Sequence, residues 1–302
     1  MDSEYSPWSP LLEPGLLRSD IRGVADLREI VVFIDGQTED LAILELASVL
    51  AQEHGAHLIG VFMQPEAAAT TPEMFARGTG ILDVIKDSEA ELEKIESGFR
   101  ARFEEIASRH GIRPEWRLSP AFDSEVGMHA HYADLAMIVH PSPTGPTAGP
   151  PGLMESLVLA SGRPIIMFPS HCKVTRFRRI LVGWNARREA IRCVADSLPL
   201  LVRADAVEVL VIDCERHAKD HGQEPGADIA RHLVRHGARV EVKRLSSDGE
   251  DVGGVLLSRA EAISADLVVM GAYGHSSLSK WMFGSVTRTV LREARLPVMM
   301  SR

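Results

Sequence analysis

Glycines and hydroxyls gather near the carboxyl end of the chain, as Met270-Gly271-Ala272-Tyr273-Gly274, then nine residues, then Gly284-Ser285-Val286-Thr287. Glycines let a main chain close on an anion and aim successive N–H groups at it, and a helix start adds unpaired donors and a favourable dipole. Ser285 and Thr287 bring hydroxyl donors to the same opening. The chemistry this segment supports is the holding of phosphate. It lacks the lysine of a P-loop, and no Gly-x-Ser-x-Gly elbow or Ser/His/Asp set in a strand–turn context supports nucleophilic hydrolysis.

Such a cradle needs a strand before it and a helix after it. Asp266-Leu267-Val268-Val269-Met270 is a short apolar run rich in β-branched residues, and Val286 to Ala294 has helical spacing. The wider chain runs through one plan twice. Opening strands Glu29–Asp35 and Arg179–Asn185 are followed by helical stretches Asp40–His54 and Arg187–Val202, then by strands His57–Phe62 and Val207–Asp213. Helices Ser88–His110 and Ala227–His236 come next, then alternating strands Glu115–Leu118 and Val240–Leu245, of the kind expected at a sheet edge. In the second half a helix from Gly253 to Ser264 leads into the strand before the cradle; the first-half counterpart of that strand is Leu135–Val139. Final strands Arg163–Phe168 and Leu296–Met300 close the two repeats. Strands alternating with helices imply right-handed crossovers and parallel sheets.

The halves diverge after the fourth strand. From His140 to Gly152 the first half carries Pro141, Pro143, Pro146, Pro150 and Pro151 where the second half has glycines. Proline removes N–H donors and fixes φ, so the first half is expected to have lost triphosphate binding. Its proline-rich loop is either a rigid connection or a docking surface.

The spacing Gly-x2-Gly-x9-Gly-Ser in its strand–loop–helix context resembles the ATP-binding signature of the universal stress protein family, over residues 26 to 302. The resemblance implies a Rossmann-like α/β fold of two tandem, open-twisted, parallel five-stranded sheets of order 3-2-1-4-5 with helices on both faces. The domains expected are a flexible arm over 1–25, a degenerate domain over 26–171 and a nucleotide-binding domain over 172–302. Strands 1 and 4 would meet where the strand order reverses, the place where open parallel sheets take ligands. Gly183, Trp184 and Asn185 would then face the Gly271 loop across one crevice. By the same match Val211 would lie against the base, Met270 and Gly271 would border the ribose, and Gly274, Gly284, Ser285, Val286 and Thr287 would hold phosphates. Asn185 stands where related proteins usually have aspartate, which Asp35 still supplies in the first half. Trp184 either stacks on the base or caps the sheet, and His275 is either a phosphate contact or a solvated loop residue. The ligand implied is ATP or another adenine nucleotide, with or without Mg²⁺, in a regulatory protein read by an unknown protein partner. No catalytic residue is assigned; a slow ATPase or autophosphorylating enzyme, with Ser285 or Thr287 as acceptor, and a ligand-free scaffold are the alternatives. Ile165–Phe168 and Val298–Met300 would pair within the chain as a pseudo-dimer, and homodimerisation stays open.

Charge and composition exclude other classes. A formal net charge of −9 and a pI near 5.8, with no basic block, argue against non-specific nucleic-acid binding. No run approaches the roughly 20 apolar residues of a membrane span, and the start of the chain lacks a signal peptide's apolar core, so a cytoplasmic protein is expected. Cys172, Cys193 and Cys214 are scattered without a CxxC pair and are expected to be reduced and buried. His217 with His221, and His232 with His236, are four apart as metal ligands on a helix can be, but no third ligand matches them, and no metal is expected.

Overall fold

The computed structural model describes residues 26–36, 40–64, 81–119, 124–140, 157–159, 161–170, 172–217, 224–272 and 285–302. Gly274, His275, Gly284, His221 and the proline-rich loop lie outside them. The described residues divide into two compact units, Leu27–Thr175 on the one hand and Arg176–Arg302 with Asp26 on the other.

In the first unit the elements are β1 (Glu29–Ile34), α1 (Asp40–His54), β2 (His57–Met63), α2 (Ile81–Arg109), β3 (Glu115–Ser119), α3 (Ser124–His131), β4 (Leu135–His140) and β5 (Ile165–Pro169). The second unit has β6 (Arg179–Gly183), α4 (Arg188–Leu201), β7 (Ala206–Ile212), α5 (Ala227–Arg235), β8 (Val240–Leu245), α6 (Val252–Ala262), β9 (Leu267–Gly271), α7 (Ser285–Glu293) and β10 (Val298–Ser301). Each unit holds five parallel strands, in the order β3-β2-β1-β4-β5 in the first and β8-β7-β6-β9-β10 in the second. This is the order that the family resemblance implies.

The central strands are continuous apolar runs because helices cover both faces of such a sheet. Ile30, Val31, Val32, Phe33 and Ile34 of β1, and Ile180, Leu181 and Val182 of β6, are buried. Each such side chain contributes roughly 1.5–3 kcal/mol of burial. The outer strands β3 and β8 are mostly half-exposed, which explains their alternation of apolar and polar residues.

One local device recurs in both units and fixes the register of their first strands. Asp134, just before β4, accepts hydrogen bonds from the backbone N–H groups of Arg28 (2.7 Å) and Glu29 (3.1 Å) through Oδ2. Asp266, just before β9, accepts from those of Arg178 (3.0 Å) and Arg179 (2.8 Å) in the same way. Both carboxylates therefore sit at the amino end of the sheet, opposite the crevice, and each accepts two backbone N–H groups at the start of a central strand.

Two expectations need adjusting. The long first-unit helix begins at Ile81, seven residues ahead of the Ser88 start expected from its charge pattern. Cys172 and Cys193 are buried, but Cys214 is only half-buried, because it opens a short 3-10 turn after β7 instead of facing a core. All three are free thiols. Burial pushes the Cys193 thiol up to about 12, so it stays protonated and unreactive. Among the described residues no helix is long and apolar enough to cross a membrane, and no group of three or more His, Cys, Asp or Glu is placed to hold a metal. His232 and His236 do meet, with ring centroids 4.6 Å apart.

Candidate functional site

The reversal of strand order in the second unit falls between β6 and β9, which pair as Val182 with Val269 and Gly183 with Met270. Chain leaving β6 turns into α4, which packs against the end of β9 at Gly271, while α6 covers the end of β6 at Gly183. A crevice at the carboxyl ends of these strands follows from topology alone. Gly183, Asn185, Met270 and Gly271, assembled from segments some ninety residues apart in sequence, border it.

Gly271 is the tightest point. A β-carbon there would stand 2.5 Å from the backbone nitrogen of Ala190 and 2.5 Å from the carbonyl carbon of Glu189. The end of β9 is thus seated directly on the first turn of α4, with no room for any side chain. Met270, on the opposite face of the strand, is buried. At Gly183 a β-carbon would meet Leu256 of α6 at 3.4 Å, so the end of β6 is also closely covered.

The opening of α7 is positioned by a second close approach. Asp251 caps α6 by accepting from the N–H of Gly254 (3.0 Å), and Gly253 follows that cap with no side chain. A β-carbon on Gly253 would be 3.0 Å from the carbonyl oxygen of Val286 and 2.9 Å from Thr289, which brings the starts of α6 and α7 together. Ser285, first residue of α7, is exposed; Val286 is half-buried and Thr287 is buried in the first turn. Of the two hydroxyls expected at the opening, that of Ser285 faces solvent.

The β6–α4 loop forms the other lip. The N–H of Trp184 donates to the carbonyl of Leu210 (2.9 Å), which carries the β6–β7 ladder one residue past the strand, and the Trp184 side chain is half-buried. Asn185 is exposed, and its Oδ1 accepts from the N–H of Arg187 (3.1 Å) across Ala186, whose φ is 57°. A non-glycine residue in the left-handed region costs about 1 kcal/mol or more, and such strain concentrates at functional loops. Val211 is fully buried, with Gly226 at the head of α5 packed so that a β-carbon there would lie 3.1 Å from the Val211 side chain.

Two parts of this neighbourhood carry no sequence signal. Glu189 lies beside Gly271 with its side chain only 12 % exposed, paired with Arg188 at 3.4 Å; nothing in a string of residues joins positions eighty apart. Asp213, after β7, also has a left-handed backbone (φ 53°), and its carboxylate accepts from both the N–H and the Oγ–H of Ser247 (2.7 Å each). That bridge ties the carboxyl ends of β7 and β8 together beside the crevice.

Residues 177–302 match the model of the universal stress protein family. In solved structures the chain is similar to a universal stress protein from Archaeoglobus fulgidus DSM 4304, with 17% identity, 91% of this chain and 96% of that chain covered, and a TM-score of 0.66. It is also similar to a putative universal stress protein from Pseudomonas aeruginosa UCBPP-PA14, with 15% identity, 91% and 93% covered, and a TM-score of 0.57. At these identities the likeness is one of fold. No curated protein matches the chain.

Proposed function

We propose that the second unit, whose residues 177–302 match the model of the universal stress protein family, binds ATP or a related adenine nucleotide in the crevice between β6 and β9. The phosphates lie toward the start of α7, where Ser285 offers an exposed hydroxyl and the helix its unpaired N–H groups. The sugar and base extend along the β6–α4 loop past Gly183, Trp184 and Asn185. Gly274, Gly284, Val286 and Thr287 complete the phosphate contacts in this reading, and His275 adds one if its loop turns inward. The observation that carries the proposal is the pairing of a strand-order reversal with a seat at Gly271 that admits no side chain.

Binding serves regulation here, since a bound nucleotide changes a surface that a partner protein reads. The carboxylates offer little to turnover. Asp266 is committed to the backbone of β6 at the far end of the sheet, and Glu189 is paired with Arg188 under the Gly271 seat.

The test is the nucleotide that co-purifies with the protein, released by denaturation and quantified, together with titration of ATP, AMP and cyclic AMP into stripped protein and into a Gly284→Asp variant. One equivalent per chain, lost in the variant, is the expected result. Wild-type protein that arrives empty and ignores all three ligands overturns the adenine-nucleotide reading.

A further inference from the structure

Asn185 stands in the lip of the crevice with one end of its carboxamide already committed. A backbone N–H can only donate, so the atom 3.1 Å from the Arg187 nitrogen is the amide oxygen, and the atom left to face outward is Nδ2, which only donates. The orientation is imposed by the turn: Ala186 is held at φ 57° to bring Arg187 back under Asn185, and Asn185 itself is exposed. An aspartate in the same turn would spend one oxygen on Arg187 and present the other, an acceptor. The two residues keep the same backbone and present opposite hydrogen-bonding character to whatever lies in the crevice.

The anionic end of a ligand is drawn to the start of α7, so its other end lies along the β6–α4 lip, beside Asn185. We infer that Asn185 acts as a specificity residue that donates to the base, tilting the site from purines that carry an exocyclic amine toward purines that carry a carbonyl at that edge. An amine facing Nδ2 sets donor against donor. A carbonyl there accepts. Ribose hydroxyls both donate and accept, so contact with sugar alone would produce no such preference. The inference rests on the nucleotide reading of the same site.

ATP and ITP carry the same sugar and triphosphate and differ in the base, amine against carbonyl, so their affinities can be compared by calorimetry in wild-type protein, Asn185→Asp and Asn185→Ala. ITP is expected to bind the wild type at least as tightly as ATP. Asn185→Asp, which keeps the bond to Arg187, is expected to shift the affinity ratio about tenfold toward ATP, the size of one gained or lost hydrogen bond. Asn185→Ala is expected to bring the two nucleotides level. A ratio unchanged in Asn185→Asp, with both nucleotides still bound, overturns the donor role and leaves the nucleotide site standing. Failure of wild type and variants alike to bind either nucleotide overturns the site itself.

Discussion

The two units set five strands in the same order and register, and they differ most where those strands end. Matching the β1–β4 and β6–β9 pairings puts Phe33 in the place of Gly183, and Val139 in the place of Gly271. Matching the next pairs puts Phe62 in the place of Val211 and Trp116 in that of Val242. In the first unit Phe62 stacks on Trp116 (centroids 6.1 Å apart), and Phe103 of α2 packs against the same indole at 5.6 Å. Gly60 sits beneath them, where a β-carbon would come within 2.7 Å of Phe103. One unit sets phenylalanines, a tryptophan and Val139 at these positions; the other sets glycines and valines. A shared fold therefore sets where a ligand site can be, and a few side-chain volumes decide whether it is one.

Exchanging one such residue gives the largest expected effect. Gly271→Val installs the first unit's residue in the second, against the backbone of Glu189 and Ala190, which cannot yield as a flexible side chain would. Overpacking of this kind should destabilise the second unit by about 3 kcal/mol, read in urea unfolding, and should abolish nucleotide binding in titration. A variant that unfolds like wild type would mean that the seat at Gly271 relaxes easily, and the contrast with Val139 would lose its steric basis.

The opposite face of the comparison is what the units share. Asp134→Ala and Asp266→Ala each remove an acceptor for two backbone N–H groups, and each should cost about 1–2 kcal/mol, with faster amide hydrogen exchange confined to the start of β1 or β6. Nucleotide affinity should hold in both, because these carboxylates lie at the end of the sheet away from the crevice. Loss of binding in Asp266→Ala alone would show that the strand start and the crevice are coupled.

Much of this was legible in the sequence because it is local. The strands followed from runs such as Ile30–Ile34 and Leu267–Met270, and the repeat from the recurrence of those runs; of the expected cradle, Gly274 and Gly284 lie outside the described residues. The order of strands came through resemblance and stands. What stayed hidden joins residues far apart in the chain: Glu189 beside Gly271, Asp213 to Ser247, and Arg259 on α6 reaching Glu208 on β7 at 2.6 and 2.8 Å. No periodicity encodes such pairs. The Asn185–Arg187 turn lies between these cases, since Asn favours turns but its amide orientation needs the backbone.

The smallest effect is the sharpest test of how neighbours retune one position. Register places Glu115 of β3 and Glu241 of β8 at the same point, opposite Ile59 in one unit and Glu208 in the other. Hydrogen bonds from Arg117 (2.7 Å) and His57 (3.0 Å) hold the Glu115 carboxyl down at about 2, whereas burial and the neighbouring Glu208 push that of Glu241 up despite Arg259. For Glu115 the unfolded chain takes its proton first as the pH drops, so its contribution is present at neutral pH and is lost from the ordinary carboxylate range down toward about 2. For Glu241 the folded protein keeps the proton longer, so its contribution is favourable in acid and is lost as the pH rises above the ordinary range. Glu115→Gln should therefore lower stability at pH 7 and flatten its acid slope, while Glu241→Gln should raise stability at pH 7. Solvent screening keeps each effect under about 1 kcal/mol, within reach of amide exchange followed separately in β3 and β8 from pH 3 to pH 7. Shifts of the same sign at both strands would mean that the neighbours, Arg117 and His57 in one unit and Glu208 in the other, do not set the difference.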